Sequence, residues 1–226
     1  MWYGLLIVCC SFPLFNMADT WSGLGLILKG ADMDTPLGEF LQRHPRAYNS
    51  DPAEMNKRVD PEALNISLEE QFTRDPFLKL WCLANYGFKE GKLYEYSVLW
   101  FDKASKIDAL KNDFFYACVT RHGAGFRREA MKGNEGKPNE YLAPVLVWRN
   151  QTSAIVVSCS TYNDEKKGPQ GSFTYAMFPP GDPFLENQLI GKKLDAGTLD
   201  RAFEKITPAL EKAVKKVAEG KKHSIL

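Results

Sequence analysis

Cys118 and His122 are the two residues whose types and spacing come closest to a catalytic pair. They lie four residues apart in a segment with helical periodicity, so their side chains share one face of the helix. A cysteine beside an imidazole base forms a nucleophilic pair, and both side chains are also metal ligands. A structural interpretation competes, because Cys118 continues an apolar stripe and a thiol near a helix C-terminus lacks the dipole that lowers its pKa. We favour the structural interpretation and keep a hydrolase that uses Cys118 and His122 as the alternative.

Few other side chains in the sequence could do chemistry. The chain has three histidines, and it contains no nucleophile elbow, no zinc-binding pair of histidines on a helix, no phosphate loop and no C-x-x-C motif. Asp32 and Asp34 resemble the acidic pair of phosphate-transferring aspartate enzymes. Their spacing is one residue short, however, and their place just before Thr35-Pro36 fits a helix N-terminus better. The sequence therefore favours a protein that is not an enzyme, with no cofactor and no metal site.

Aromatic side chains form the second group of candidate functional residues. Tyr94, Tyr96 and Trp100 alternate along a predicted strand and would share one face of a sheet, and Trp148 lies on a later strand. Such a face can line a ligand groove or a protein interface, and it can equally be core beneath packed helices. The core interpretation is the more common one for residues of this kind. We keep these four residues as candidate contacts with a ligand or a partner protein.

The elements that carry these residues follow from periodicity and from turn signals. Thr35-Pro36 is typical of a helix start, and Pro45 ends that helix. A capping box at Ser105 opens the most regular helix, which Gly123 closes. The predicted helices cover 35–44, 105–123 and 199–217, the last kinked or restarted at Pro208, and the predicted strands cover 24–28, 77–86, 93–101, 126–131, 143–149, 155–161 and 173–178.

The segment 46–76 separates the first predicted helix from the first hairpin. It is polar and rich in proline, so we predict a long surface connection whose best helical stretch is 61–72. The short links between the strands that follow favour antiparallel pairing. The predicted fold class is therefore α+β, an antiparallel sheet with helices packed mainly on one face, in a single domain over residues 19–226.

Three stretches of the sequence carry a resemblance to known proteins. They are the helix start Thr35-Pro36-Leu37-Gly38-Glu39-Phe40, the hairpin turn Phe88-Lys89-Glu90-Gly91-Lys92-Leu93-Tyr94 and the helix end Arg121-His122-Gly123. Over about residues 30–160 this pattern resembles small exported bacterial domains of the β-lactamase-inhibitor or outer-membrane-assembly lipoprotein kind. The resemblance implies two related αβ units, each a helix with short antiparallel strands, and a function in binding other proteins.

The first eighteen residues differ in composition from the rest of the chain. They carry no charged side chain, and residues 4–15 are mostly apolar. This run is too short to span a bilayer as a helix, but it has the length of the apolar part of a secretory signal peptide. Ala18 is the small residue expected before a cleavage site, so we predict a signal peptide over 1–18 and a periplasmic or secreted protein. The alternatives are that Met17 is the true start or that the segment is a buried strand or helix, because Met1-Trp2-Tyr3 lacks the usual basic residue.

The composition of the whole chain is that of a folded globular protein. Of the 226 residues 44% are hydrophobic, and 29 basic against 28 acidic side chains leave a net charge of +1. This balance gives no electrostatic reason to bind nucleic acid, and we expect no transmembrane helix once the signal peptide is removed. Cys82 and Cys159 could form a disulfide or remain buried thiols. We therefore expect a non-enzymatic exported bacterial protein that binds another envelope or secreted protein, or a ligand.

Overall fold

The computed structural model describes residues 33–72, 78–133, 141–164 and 166–223. The signal peptide predicted over 1–18, the strand predicted over 24–28 and Asp32 lie outside the described residues. The helices are α1 (Leu37–Arg43), α2 (Ala104–His122), α3 (Pro183–Gln188), α4 (Ala196–Phe203) and α5 (Thr207–His223), with a 3-10 turn at Gly191–Lys193. The strands are β1 (Tyr48–Asn49), β2 (Ile66–Phe72), β3 (Trp81–Lys89), β4 (Lys92–Lys103), β5 (Arg127–Gly133), β6 (Tyr141–Arg149), β7 (Ala154–Asp164) and β8 (Gly168–Phe178).

The strands form one antiparallel sheet in the order β1-β2-β3-β4-β8-β7-β6-β5. Each half of the sheet is a meander of four consecutive strands preceded by a helix, α1 in the first half and α2 in the second. The last strands of the two meanders, β4 and β8, pair along the centre of the sheet. Consecutive antiparallel strands need only short connections. The residues typical of turns therefore mark the ends of most strands in the sequence. The predicted α+β class with an antiparallel sheet is confirmed.

One face of the sheet, which we call the core face, is buried beneath α2. Trp100 of β4 and Phe173 of β8 are cross-strand partners on this face. Phe114 of α2 stacks on Phe173 with the ring centroids 4.2 Å apart. α5 packs against α2, and α1 adds Phe40 to the same cluster of buried side chains. A single apolar core therefore joins the two halves of the sheet.

The opposite face of the sheet, which we call the open face, is covered at one end by α3. Leu185 of α3 and the following Leu189 pack with Val145 and Val156 in a second, smaller apolar cluster. The carboxylate of Asp182 caps α3 by accepting a hydrogen bond from the backbone N–H of Leu185 at 2.9 Å. α3 is missing from the predicted elements because six residues make fewer than two turns, too few for helical periodicity to show.

Residues 66–72 form the strand β2 inside the segment 46–76, which the sequence predicts to be a surface connection with its best helical stretch at 61–72. The whole of β2 pairs with β3. Of its four side chains on the core face, three are apolar, whereas the fourth, Glu70, is acidic and yet only 5% exposed. Because one of these inward positions is acidic, the sequence does not show the alternation of apolar and polar residues that predicts a strand. β1 and β2 thus bring part of the segment 46–76 into the sheet.

The other predicted elements overlap the observed ones, but β3 begins at Trp81 and β8 at Gly168, whereas the predicted strands begin at 77, outside the described residues, and at 173. The hairpin of β3 and β4 turns at Glu90 and Gly91, whose φ angles of 53° and 73° are those of a two-residue turn that favours glycine. At the C-terminal end, α4 ends at Phe203 and α5 begins at Thr207. The proline at position 208 therefore lies in the first turn of a fresh helix, where its missing N–H has no cost.

Candidate functional site

Three of the four aromatic candidates are buried in the core. Tyr96, Trp100 and Trp148 are 3%, 0% and 6% exposed. All three belong to the cluster of buried side chains beneath α2. The indole Nε1 of Trp148 also donates a hydrogen bond to the carbonyl oxygen of Gly123 at 2.9 Å. Because these three side chains pack inside the fold, they are not exposed for contact with a ligand or a partner protein.

Tyr94 is the aromatic candidate that reaches the open face. The pairing register of β3 with β4 shifts between Gly87 and Phe88, which leaves Tyr94 as an extra residue in a β-bulge. The bulge changes which residues of β4 face the core, so Leu93 is buried there while Tyr94 turns to the other side. The hydroxyl of Tyr94 donates a hydrogen bond to Oδ2 of Asp182 at 2.8 Å. Tyr94 therefore links the start of β4 to the N-terminus of α3.

Cys118 and His122 both lie near the C-terminal end of α2, as their positions predict. Cys118 is 0% exposed, and burial raises the pKa of its thiol. Nε2 of His122 lies 3.1 Å from the hydroxyl of Tyr175. Desolvation, with a smaller contribution from the charge of Arg121, lowers the pKa of His122 to about 4. In this conformation the thiol and the imidazole are both neutral at pH 7 and act as packing groups.

The open face carries an exposed apolar patch at the end of β3 and β4 that is farthest from their turn. Trp81 and Phe101 lie directly opposite each other and are 50% and 39% exposed. The next pair on the same face is Leu83 and Leu99, and both are partly buried. We call these four residues the apolar patch. In the sequence, apolar side chains occupy both phases of each strand here, and the prediction of Tyr94, Tyr96 and Trp100 follows the phase with more aromatic residues.

Hydroxyl groups continue the apolar patch across the centre of the sheet. Ser172 of β8 lies opposite Phe101, and Ser160 of β7 lies opposite Ser172. The two serine Oγ atoms are 3.1 Å apart. Thr174 lies opposite Leu99 in the next row. Aromatic and hydroxyl groups without formal charge are the mixture that protein interfaces use for apolar contact and for hydrogen bonds.

A cavity of about 180 Å³ lies on the open face beside α3. We call it the Glu95 cavity, because Glu95 is its acidic group. Its polar wall also holds the amide of Asn85 and the hydroxyls of Ser67 and Ser97, and its apolar wall holds Phe178 and Phe184. The cavity and the apolar patch belong to one strip of β3 and β4, whose successive pairs are Trp81 with Phe101, Leu83 with Leu99, Asn85 with Ser97 and Gly87 with Glu95.

Among the described residues, one acidic side chain lines the cavity, that of Glu95. Burial raises the pKa of the Glu95 carboxyl, and the negative charge of Asp182 raises it further. Asp182 is 5% exposed, and its two oxygens accept hydrogen bonds from Leu185 N–H and from the Tyr94 hydroxyl. The described residues that line the cavity include no lysine, arginine or histidine. A positive charge in the cavity would therefore be stabilised by both carboxylates.

Gly87 determines where the Glu95 side chain lies. A Cβ on Gly87 would be 2.8 Å from Cγ of Glu95 and 3.0 Å from its Oε1. The Glu95 side chain thus crosses the backbone of β3 in space that only glycine leaves open. The predicted strands 77–86 and 93–101 leave Gly87 in the hairpin loop. A glycine inside a strand would have signalled a close approach at this position.

A second polar cluster is buried beneath α1. Nδ1 of His44 lies 2.8 Å from Oε2 of Glu70, and each residue is 5% exposed. The His44 ring stacks on Phe40 with the centroids 4.2 Å apart. Within the described residues, Nε2 of His44 and the hydroxyl of Tyr86 have no hydrogen-bond partner. The cluster is enclosed by the core, so it ties α1 to the sheet and offers no surface to a ligand.

Comparisons with known proteins leave the open face as the main guide to function. No family model, no curated protein and no solved structure matches the chain. Within 33–72, 78–133, 141–164 and 166–223, no group of three or more His, Cys, Asp or Glu side chains is placed to hold a metal ion. No helix in those same ranges is long and apolar enough to cross a membrane.

Proposed function

We propose that this chain is a non-enzymatic, exported bacterial protein that binds another protein of the cell envelope through its open face. The observation that carries the proposal is the apolar patch, in which Trp81 and Phe101 stand side by side at 50% and 39% exposure. Both side chains lie outside the core, so folding alone gives no reason to place large aromatic residues there. Exposed aromatic clusters are typical of protein-binding surfaces.

The energetics of the apolar patch support binding. A fully buried aromatic side chain covers about 150–250 Å². A partner that covered the exposed parts of Trp81 and Phe101 would remove roughly 200 Å² of apolar surface from water, worth about 5 kcal/mol. This is more than half of the roughly 8 kcal/mol of a micromolar complex, before the costs of association are subtracted.

The proposed export rests on residues 1–18 of the sequence, with their apolar run and absent charge. Fractionation of the native cells followed by intact-mass measurement tests it. The expected result is a protein that begins at Asp19 in the periplasm or the medium. A protein that retains Met1 and stays in the cytosol would overturn the proposed location and leave the proposed binding surface standing.

The environment of Cys118 argues against the hydrolase alternative based on Cys118 and His122. The thiol of Cys118 is fully buried and its pKa is raised, so no observation favours nucleophilic chemistry at this position.

Site-specific photo-crosslinking tests the proposed interface. A benzophenone amino acid at position 101 is expected to capture an envelope protein, while the same group at Leu64, which is 65% exposed, is not. The captured protein is then purified and its affinity measured. The variant Trp81→Ser/Phe101→Ser is expected to bind it at least about tenfold more weakly, whereas Leu64→Ser keeps the affinity. Equal affinity of all three forms, with unchanged thermal unfolding, would overturn the proposed interface.

A further inference from the structure

The Glu95 cavity lies on the same strip of the open face as the apolar patch. Three steps along the strands separate the pair Trp81 and Phe101 from the pair Gly87 and Glu95. With two residues per step, that separation is about 20 Å. A partner that lies along β3 and β4 would therefore cover the apolar patch and the cavity together.

We propose that the Glu95 cavity receives the side chain of a lysine or arginine of the partner protein. This inference rests on the proposed function and specifies the chemistry of one contact in it. The cavity volume of about 180 Å³ is large enough for an ammonium or guanidinium group with part of its methylene stem.

The charges around the cavity favour a cation. Glu95 lines the cavity, and Asp182 is close enough for its negative charge to raise the pKa of the Glu95 carboxyl. Three of the charged residues on neighbouring elements already have partners. Glu69 of β2 accepts a hydrogen bond from the Tyr48 hydroxyl, Glu186 of α3 pairs with Arg149, and Nζ of Lys89 lies 5.2 Å from the centre of the Tyr94 ring. A cationic side chain from outside would supply the counter-charge that the cavity wall lacks.

The aromatic wall of the cavity fits the stem of such a side chain. Phe184 is 61% exposed on α3, and its ring centroid lies 6.5 Å from that of Phe178. Methylene groups of lysine or arginine pack well on aromatic rings while the charged end reaches a polar group. Asn85 and Ser97 provide further oxygen acceptors beside Glu95. The two walls therefore match the two parts of a long basic side chain.

Other occupants fit the same wall less well. An anion would meet Glu95 and the nearby charge of Asp182. A metal ion would need more ligands, and both oxygens of Asp182 already accept hydrogen bonds. A neutral donor could hydrogen-bond to a carboxylate, as Tyr94 does to Asp182, but would gain no attraction between opposite charges.

A binding titration with single-residue probes tests the inference. The probes are N-acetyl-lysine methylamide and N-acetyl-arginine methylamide, and the neutral control is N-acetyl-norleucine methylamide. Nuclear magnetic resonance of the labelled full chain follows the backbone signals of β3 and β4. Wild type is expected to bind the basic probes at least about tenfold more tightly than the neutral one. Glu95→Gln is expected to lose this preference, and the matched control Glu69→Gln to keep it.

The partner identified through the apolar patch provides the second measurement. Glu95→Gln is expected to weaken its binding by about tenfold or more, and Glu69→Gln is expected to leave it unchanged. Equal binding of the basic and neutral probes, or an unchanged preference in Glu95→Gln, would overturn the inference. If the basic probes bind in a Glu95-dependent way but partner binding does not depend on Trp81 and Phe101, the proposed interface fails. In that case the cavity binds a small organic cation, and the proposal that it receives a lysine or arginine of the partner protein is wrong.

Discussion

Nδ1 of His44 and Oε2 of Glu70 lie 2.8 Å apart at a place where both side chains are almost fully buried. The contact joins the residue that follows α1 to the middle of β2. It also gives a carboxylate in the core the partner that it needs, because a buried charge without a partner costs several kcal/mol. Phe40 and Tyr86 pack around the His44 ring and close the site to solvent.

Loss of one member of this pair should destabilise the fold more than loss of both. We expect Glu70→Leu to lower the free energy of unfolding by about 2–4 kcal/mol, because His44 is left buried without its partner. The double variant His44→Phe/Glu70→Leu should regain most of the loss, since a phenylalanine at position 44 can stack on Phe40. Urea unfolding of the single and double variants measures the coupling. Losses that simply add would show that the two residues are independent.

The same pair explains why β2 could not be predicted from the sequence. A buried acid interrupts the apolar phase of the strand, and its partner His44 lies 26 residues earlier in the chain. Local patterns describe neighbours along the chain and carry no information about a contact at that distance. In β6 the residues of the inward phase are apolar, and the predicted strand 143–149 lies within the observed Tyr141–Arg149.

The buried thiols should be inert in the native protein. Burial raises the pKa of both Cys118 and Cys159, and Cys82 is 3% exposed. We expect none of the three to react quickly with a disulfide reagent near neutral pH, and all three to react once the chain is unfolded. Peptide mass mapping after timed labelling distinguishes the three cysteines from one another. Fast labelling of Cys118 in the folded protein would contradict its burial and revive the hydrolase alternative.

His122 should make stability depend on pH below neutrality. Its pKa is about 4 in the fold and about 6.5 in an unfolded chain, so the unfolded state takes up a proton first as the pH falls. The stabilising effect of a neutral His122 is present above about pH 6.5 and is lost as the pH falls towards 4. Relative to His122→Gln, wild type should lose about 1–2 kcal/mol more over this range, after allowance for partial exposure to solvent. Urea unfolding at several pH values measures the difference, and parallel curves for the two proteins would contradict it.

Two neighbouring aromatic residues of β4 should differ sharply in their effect on stability. Trp100 is 0% exposed in the core, whereas Phe101 is 39% exposed on the open face. We expect Trp100→Ala to cost about 3–5 kcal/mol through the cavity that it leaves. Phe101→Ser should cost about 1 kcal/mol or less, because it removes a single cross-strand contact with Trp81. Urea unfolding measures both, and a large loss for Phe101→Ser would show that its ring serves the fold instead of a binding surface.

The position of the candidate site could be predicted only in part. The sequence pattern predicts the two strands that carry the site, β3 and β4, and predicts that alternate side chains of each strand lie on opposite faces of the sheet. The pattern does not predict the β-bulge at Tyr94, because the predicted strands leave residues 87–92 as a loop, whereas the actual turn has two residues. Phe88 and Leu93 are both buried on the core face next to this short turn. An extra residue in β4, Tyr94, is then required for Tyr96 and the alternate residues after it to face the core as well. The contact of Tyr94 with Asp182 depends on packing between distant segments.

Gly87→Ala should displace the Glu95 carboxylate without changing any charge. The new Cβ would lie 2.8 Å from Cγ of Glu95, so the side chain has to leave the backbone of β3. We expect the preference for basic over neutral probes to fall by about tenfold, as in Glu95→Gln, while the free energy of unfolding changes by about 1 kcal/mol or less. Gly38→Ala is the matched control, because its Cβ would meet Pro61 at an ordinary 3.7 Å. A carbon-13 signal of the Glu95 carboxyl that is unchanged in Gly87→Ala, with probe binding intact, would show that the cavity does not depend on this close approach.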